Sequence, residues 1–167
     1  MNFDEDSIIE CVNRAWGWKI PRVQRVLAVN SMGNVFLQDS QGAYWRICPE
    51  ELYARIEAKN DTEVQQVFAD PGYKADWQLL GLIDEAEATF GVLSSGSCYA
   101  LVKPAVLGGD YAVSNMAVVS VHEYLVWAGN LAQATEGLKD GDEITVFVPF
   151  KGSSVQQSEE RLTRRCS

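Results

Sequence analysis

The sequence predicts a mixed α+β fold: an N-terminal helix and an antiparallel β-meander, followed by helices, and then a C-terminal half of mixed strands and helices packed against them. The sequence contains both short apolar runs broken by turn residues and stretches of helical periodicity. These signals occur in clusters and lack the regular alternation of a doubly wound sheet. The 167 residues, 47% hydrophobic and 22% charged, are enough to bury a core.

The N-terminal part predicts one helix and then strands. Ser7 and Glu10 form a capping-box pattern, so we expect the first helix to begin there. Beyond Pro21 the texture changes to short apolar runs, which predict strands at 26–29, 35–37 and 44–47. The turn-forming stretches 31–34 and 39–42 join them, so the pattern is that of a meander of two hairpins.

The central part predicts three helices. Pro49 suits the first turn of a helix running to Ile56, because its missing N–H is not needed there. Asn60 and Glu63 form a second capping box, and its helix is expected to end near 70–72. The stretch 74–89 has apolar residues in helical register.

The C-terminal part predicts strands at 98–102, 117–119 and 143–148, with a helix opened by the Ser120–Glu123 capping box before the last of them. Residues 151–167 lose the apolar pattern and are expected to form a flexible tail. The organisation we expect is an N-terminal region, 1–73, a C-terminal region, 74–150, and this tail.

Charge narrows the range of partners. With 23 Asp and Glu against 14 Lys and Arg, the net charge is −9, which repels a phosphate backbone and favours a basic protein partner. We therefore expect no direct nucleic-acid binding. No apolar stretch approaches the roughly 20 residues of a membrane-spanning helix, and the acidic start of the chain is unlike a signal peptide. We expect a cytoplasmic protein without a membrane anchor.

Few residues offer catalytic or metal chemistry. His122 is the single histidine, which excludes sites that need two or more imidazoles. The four cysteines lie far apart without a Cys-x-x-Cys pair, which fits thiols in a reducing compartment. The segment 140–143 lacks the spacing of a calcium loop, and 108–111 lacks that of a phosphate loop. We expect no enzyme activity, cofactor or metal; a small hydrolytic enzyme using His122 with a carboxylate stays an alternative.

Aromatic residues suit an interface. Of the five tryptophans, Trp16, Trp77 and Trp127 fall on apolar helix faces and are expected in the core. Trp18 lies between a glycine and a lysine in a connection, so we expect it to be exposed and available as an aromatic anchor.

The segment 90–111, FGVLSSGSCYALVKPAVLGGDY, with Asn115–Val119 after it, closely resembles the C-terminal domain of the Tdi-type immunity proteins of bacterial type VI secretion systems. Upstream, Trp16-Gly17 and the segment 33–39 resemble the GAD-like domain that precedes it. The resemblance implies an immunity protein that neutralises a cognate antibacterial toxin, in particular a DNase with a basic surface, by stoichiometric binding. It transfers no catalytic residues.

Partner contacts are expected on acidic faces and variable loops. The residues that we expect to bind the toxin are Asp39, Asp84, Glu85, Asp110, Tyr111 and Trp18. A second alternative is an adaptor or chaperone that binds the effector for loading into the secretion apparatus without inhibiting it.

Overall fold

A computed structural model describes residues 3–150 and 158–164. These residues form five α-helices: α1 (Glu5–Ala15), α2 (Asp61–Ala69), α3 (Pro71–Gln78), α4 (Leu80–Phe90) and α5 (Val121–Thr135). The strands are β1 (Val23–Val29), β2 (Val35–Asp39), β3 (Tyr44–Cys48), β4 (Tyr53–Ala58), β5 (Ser97–Leu101), β6 (Met116–Ser120), β7 (Glu143–Val148) and β8 (Ser158–Thr163). The predicted α+β class is confirmed.

The N-terminal strands form one antiparallel sheet in the order β1-β2-β3-β4. In its register Leu37 lies opposite Trp45 and Phe36 lies opposite Arg46. Since successive side chains of a strand point to opposite faces, Leu37 and Trp45 belong to one face, and Phe36 and Arg46 to the other. The three predicted strands at 26–29, 35–37 and 44–47 are confirmed.

The helix predicted from Pro49 to Ile56 is wrong. Pro49–Glu51 form a single 3₁₀ turn, and the chain then enters β4, which pairs with β3. Leu52 between them adopts a left-handed conformation with φ of 55°, which no α-helix can continue. Tertiary pairing with β3 therefore prevails over a local sequence that suits a helix.

The first face of the sheet packs against α1 and α5. One buried cluster joins Val12 of α1, Leu37 and Ile47 of the sheet, and Leu125 of α5. Helices α1 and α5 cross closely at Gly129, where a Cβ would lie 2.6 Å from the carbonyl oxygen of Ala15. The core thus draws on both the N-terminal and the C-terminal part of the chain.

The second face is covered by α2 and α3. Phe36 and Tyr44 of the sheet are buried there against Phe68, Tyr73 and Trp77 of the two helices. The Phe68 ring meets the Phe36 ring edge-on, with 4.8 Å between centroids. The predicted capping box opens α2, since the Asn60 side chain accepts a hydrogen bond from the backbone N–H of Glu63.

The continuous helical stretch expected over 74–89 is broken in the structure. Leu79 has φ of 45°, so α3 ends there and α4 begins in a new direction. Helix α4 then packs its apolar side against the antiparallel pair β5-β6, through Ala86, Tyr99 and Met116. The strands predicted at 98–102 and 117–119 are confirmed.

The flexible tail expected at 151–167 is wrong for part of its length. Residues of β8 pair with β7 from Val148↔Ser158 to Glu143↔Thr163, and the side chain of Leu162 is buried. Strand β7 supplies the hydrogen-bonding edge with which β8 pairs, a long-range effect that the polar sequence of the tail does not reveal. Residues 151–157 and 165–167 lie outside the described residues.

The capping boxes predicted at Ser7 and Ser120 are also wrong in detail. Helix α1 begins two residues before Ser7, with Asp4 at its N-cap position. Ser120 does precede α5, but its side chain makes no capping hydrogen bond. Among residues 3–150 and 158–164, none of the helices is both long and apolar enough to span a bilayer.

Candidate interaction surface

The three central helices form a strongly acidic lobe. Residues 61–90, hereafter the acidic lobe, hold seven acidic residues and one basic residue, Lys74, and so carry a net charge of −6 out of the −9 of the whole chain. The acidic residues are Asp61, Glu63, Asp70, Asp76, Asp84, Glu85 and Glu87. A surface of one sign attracts and orients a partner of the other.

The acidic lobe is also the most exposed helical part of the described chain. Neither α2 nor α3 has a buried residue, and α4 has one, Ala86. On the same surface the side chain of Leu80 is 60% exposed. A single exposed apolar side chain is ordinary on a protein surface, so the charge of the lobe, and not Leu80, marks it as a candidate surface.

The acids of the lobe divide into two groups. Asp61 accepts a 2.5 Å hydrogen bond from the Tyr44 hydroxyl, and Asp70 caps α3 through the backbone N–H of Tyr73. By contrast, three exposed acids of α4, Asp84, Glu85 and Glu87, form neither a hydrogen bond through their side chains nor an ion pair with any residue that the structure describes. Their charges are therefore available to a partner.

A buried arginine holds the acidic lobe on the sheet. The side chain of Arg46 is 2% exposed, and its guanidinium lies over the rings of Tyr73 and Trp77, 5.7 and 5.5 Å from their centroids. One N–H pairs with Asp76 of α3, and Nε donates to the Asn34 side-chain oxygen over 2.9 Å. We call Arg46 with these four partners the Arg46 clamp.

The clamp continues into a buried carboxyl group. The Asn34 side-chain nitrogen donates to both oxygens of Glu50, over 2.7 and 2.8 Å. Burial raises the pKa of Glu50, while this hydrogen bond and the nearby Arg46 charge oppose the rise. For Arg46, burial is the largest single effect and disfavours the charge, but the hydrogen bond to Asp76 and the attraction of nearby acidic groups together outweigh it, so the pKa lies above the ordinary value. The network ties the sheet, the turn at 49–51 and α3 together.

Next to the clamp lies a cleft of about 640 Å³ between the sheet and α4. The sheet contributes Arg46 and Tyr53, α4 contributes Leu82, and Tyr111 closes the cleft from a loop. The Tyr111 hydroxyl donates to Glu51 over 2.6 Å. The cleft thus separates the N-terminal sheet from the central and C-terminal segments.

The structure places four of the six expected contact residues on or beside this surface. Asp84 and Glu85 are exposed on α4, and Tyr111 lines the cleft with the exposed Asp110 next to it. These placements suit contact with a partner, and that role stays a prediction.

The other two expected contact residues lie elsewhere. The structure corrects the expected exposure of Trp18 and buries Asp39, and a contact role for either stays a prediction. Asp39 is buried: its carboxylate accepts hydrogen bonds from the backbone N–H groups of Gln41 and Ala43 and from the Trp45 indole, so it holds a turn. Trp18 is half-buried, since its ring stacks on Trp16 and its indole N–H bonds to a backbone carbonyl in α1. Both side chains are thus engaged by hydrogen bonds and packing with residues close to them in the sequence.

His122 has a structural partner. Its Nε2 lies 2.6 Å from the Ser7 hydroxyl, which ties α1 to the start of α5. In the part of the chain that the structure describes, no carboxylate forms a hydrogen bond with the His122 ring, and no group of three or more His, Cys, Asp or Glu side chains could hold a metal ion. A Ser–His pair without an orienting acid is less than the triad of a hydrolase.

Three features of this surface were missed by reading the sequence. Glu87 and Leu80 are exposed on α4. Arg46, which lies in the apolar strand β3, holds α3 of the acidic lobe on the sheet. A charge count over successive windows would have found the lobe, because 61–90 holds a single basic residue. The role of Arg46 has no local signal, since three of its four partners, those on α3, are about 30 residues away along the chain.

Residues 61–132 match the family model described as T6SS immunity protein Tdi1, C-terminal. The match begins at the first residue of α2, takes in the whole acidic lobe and ends within α5, so it covers less than half of the chain. It confirms the resemblance of the C-terminal region and supports the assignment of the chain as a type VI secretion immunity protein. The expected division of the chain at 73–74 stays a prediction. The GAD-like resemblance of 1–73 stays a prediction. A comparison with curated proteins found no match.

Proposed function

We propose that this chain is a type VI secretion immunity protein that binds a cognate toxin stoichiometrically and neutralises it in the cytoplasm of the producing cell and its kin. The observation that carries the proposal is the coincidence of the family match at 61–132 with the acidic lobe at 61–90. The toxin is a DNase with a basic surface, and the lobe covers that surface.

Charge supplies the physical reason. A nuclease must present cationic groups to a phosphate backbone, and an exposed surface of net charge −6 is complementary to such groups. Asp84, Glu85 and Glu87 of α4 meet the toxin first, because they have no competing partner among the described residues. Leu80 supplies an apolar contact in the same patch.

The first experiment asks whether the chain binds and inhibits. The tagged protein is incubated with the candidate effector encoded beside its gene, and plasmid degradation is followed as the molar ratio rises. We expect a complex, and loss of degradation that is complete at a one-to-one ratio. Binding without inhibition would favour the adaptor alternative. If the chain protects cells from growth arrest by the effector although the effector does not degrade DNA, the toxin is not a DNase.

The second experiment tests the acidic lobe. Asp84→Lys, Glu85→Lys and Glu87→Lys are combined, and association is measured by stopped-flow at low and high salt. We expect the on-rate at low salt to fall on the order of 10- to 100-fold, because steering is lost, with a smaller effect at high salt.

A matched control carries the same change in net charge on other helices. Asp6→Lys, Glu10→Lys and Glu123→Lys alter three exposed acids of α1 and α5, which pack against the opposite face of the sheet from the lobe. We expect this control to lower the on-rate much less. Equal losses in the two triple variants would show that overall charge, and not the lobe, controls association.

A further inference from the structure

The two edges of the four-stranded sheet are built differently. At the β1 edge, the backbone N–H of Val23 donates to the Asn13 side chain, and that of Val26 donates to Glu5. Strand β1 also carries two register shifts along its pairing with β2. Bulges and side-chain caps of this kind protect an edge from pairing with another chain.

The β4 edge lacks this protection over most of its length. Four successive pairs, from Cys48↔Tyr53 to Trp45↔Ile56, are regular, and the one shift lies beyond them, towards Ala58. Within residues 3–150 and 158–164, no strand pairs with the outer side of β4, and its backbone forms no hydrogen bond with a capping side chain. Half of the N–H and C=O groups of such an edge strand point outward.

A pocket lies on each face of this edge. On the lobe side is the cleft of about 640 Å³, lined by Tyr53 and Arg55. On the α5 side is a smaller pocket of about 270 Å³, lined by Ala54. The two pockets meet at the start of β4, where Glu51, Tyr53 and Val106 line both.

This arrangement suits an extended chain. A strand that pairs with β4 points its side chains alternately to the two faces, so successive residues would enter the two pockets in turn. Backbone hydrogen bonds then supply affinity, and the alternate pockets supply specificity. A helix lying along β4 could not form hydrogen bonds with the outward backbone groups of the strand. Its side chains would also not alternate between the two pockets, as those of a strand do.

We propose that the outer edge of β4 receives an extended, basic segment of the toxin as a fifth strand of the sheet. The inference rests on the proposed function and adds the mode of binding. Charge favours a basic occupant through the acidic lobe, whose α2 follows β4 after two residues. The side chains that line the two pockets carry both signs, with Lys19, Arg55 and Arg164 beside Glu51 and Glu136. Charge argues against a second copy of this chain, because pairing two β4 edges would bring together two chains of net charge −9.

The test uses the full chain with the candidate effector and residue-resolved amide exchange by NMR. Pairing with a fifth strand protects only the outward amides, so we expect alternate amides between 53 and 58 to slow at least tenfold in the complex. The amides that are bonded to β3, and those of β1, should change little. A complex in which no alternate amide of β4 is protected overturns the strand-pairing inference and leaves the immunity function standing.

Two matched variants complete the test. Ile56→Lys places a charge at a 46% exposed position of β4, and Leu27→Lys does the same at a 36% exposed position of β1. We expect the first to weaken toxin binding at least tenfold, because it repels a basic segment, and the second to change it less than twofold. Equal affinities in the two folded variants would overturn the inference. A β4-mediated dimer of the chain alone would overturn the assigned occupant, and the absence of any toxin complex would overturn the inference and the proposed function together.

Discussion

Replacement of Arg46 by methionine tests the Arg46 clamp. The change keeps an apolar stem in the buried position but removes the guanidinium that lies over Tyr73 and Trp77 and bonds to Asn34. We expect α3 to loosen from the sheet and the free energy of unfolding to fall.

The magnitude follows from the environment of each contact. Loss of a buried, charge-assisted hydrogen bond to Asn34 costs about 1.5–3 kcal/mol, and loss of a cation–π contact costs about 0.5–2 kcal/mol. The pair with Asp76 contributes at most about 1 kcal/mol, because the Asp76 side chain is 59% exposed and screened by water. Allowing for overlap among these effects, we expect Arg46→Met to lower the free energy of unfolding by about 2–4 kcal/mol.

Urea unfolding followed by tryptophan fluorescence and by circular dichroism measures this loss. Arg46→Lys keeps the charge without the planar fork and should lose an intermediate amount. Asp76→Asn is the matched control for the exposed half of the ion pair and should cost less than about 1 kcal/mol. If Asp76→Asn costs as much as Arg46→Met, the clamp depends on the ion pair and our account of the stacked, buried guanidinium is wrong.

Further predictions concern a carboxyl group, two glycines and the histidine. Because burial raises the pKa of Glu50, the wild-type protein keeps this group's full contribution to stability below the ordinary carboxyl pKa and loses it as the pH rises through the raised value. Glu50→Gln should therefore gain stability relative to wild type as the pH rises above the ordinary carboxyl pKa, by about 1.4 kcal/mol for each unit by which the pKa is raised in the folded protein. Urea unfolding of both proteins over a series of pH values measures this, and a difference in unfolding free energy that does not change with pH would contradict it. Gly129→Ala should lower the stability of the protein by about 1–3 kcal/mol through its clash with α1. Gly81→Ala, where the new methyl group has open space in α4, should raise the stability by about 0.5–1 kcal/mol. Thermal melting of the two variants measures both changes, and a loss of stability in both would refute the packing argument. His122→Ala should lose about 0.5–1.5 kcal/mol with its hydrogen bond to α1 and still neutralise the toxin, while loss of neutralisation in a folded variant would favour the hydrolytic alternative.

Local signals in the sequence predicted much of the fold. Short apolar runs between turn residues predicted the strands of the meander, and the Asn60–Glu63 capping box predicted the start of α2. The error at 49–56 has a clear cause, because Pro-Glu-Glu-Leu-Tyr suits a helix locally, while pairing of 53–58 with β3 stabilises a strand instead. Short-range rules contain no information about that pairing.

The candidate surface was predictable in its charge but not in its anchoring. The exposure of Asp84 and Glu85 could be predicted, because acidic residues on a helix are normally exposed; their contact with a toxin stays a prediction. Asp39 was misjudged because its carboxylate satisfies backbone N–H groups of its own turn, and Arg46 was missed because an arginine in an apolar strand acquires a role only when α3 folds over it. The Asp39 contacts are local, within the hairpin that joins β2 and β3, whereas the contacts of Arg46 with α3 form only with the tertiary structure.

Survival of cells that express the candidate toxin tests the central claim most directly. Bacteria carrying an inducible toxin gene are grown with this chain, with the triple lysine variant of α4, or with an empty vector. We expect full growth with the wild-type chain and growth reduced towards the empty-vector level with the variant, at equal protein levels. Equal killing with the chain and with the empty vector would contradict the account.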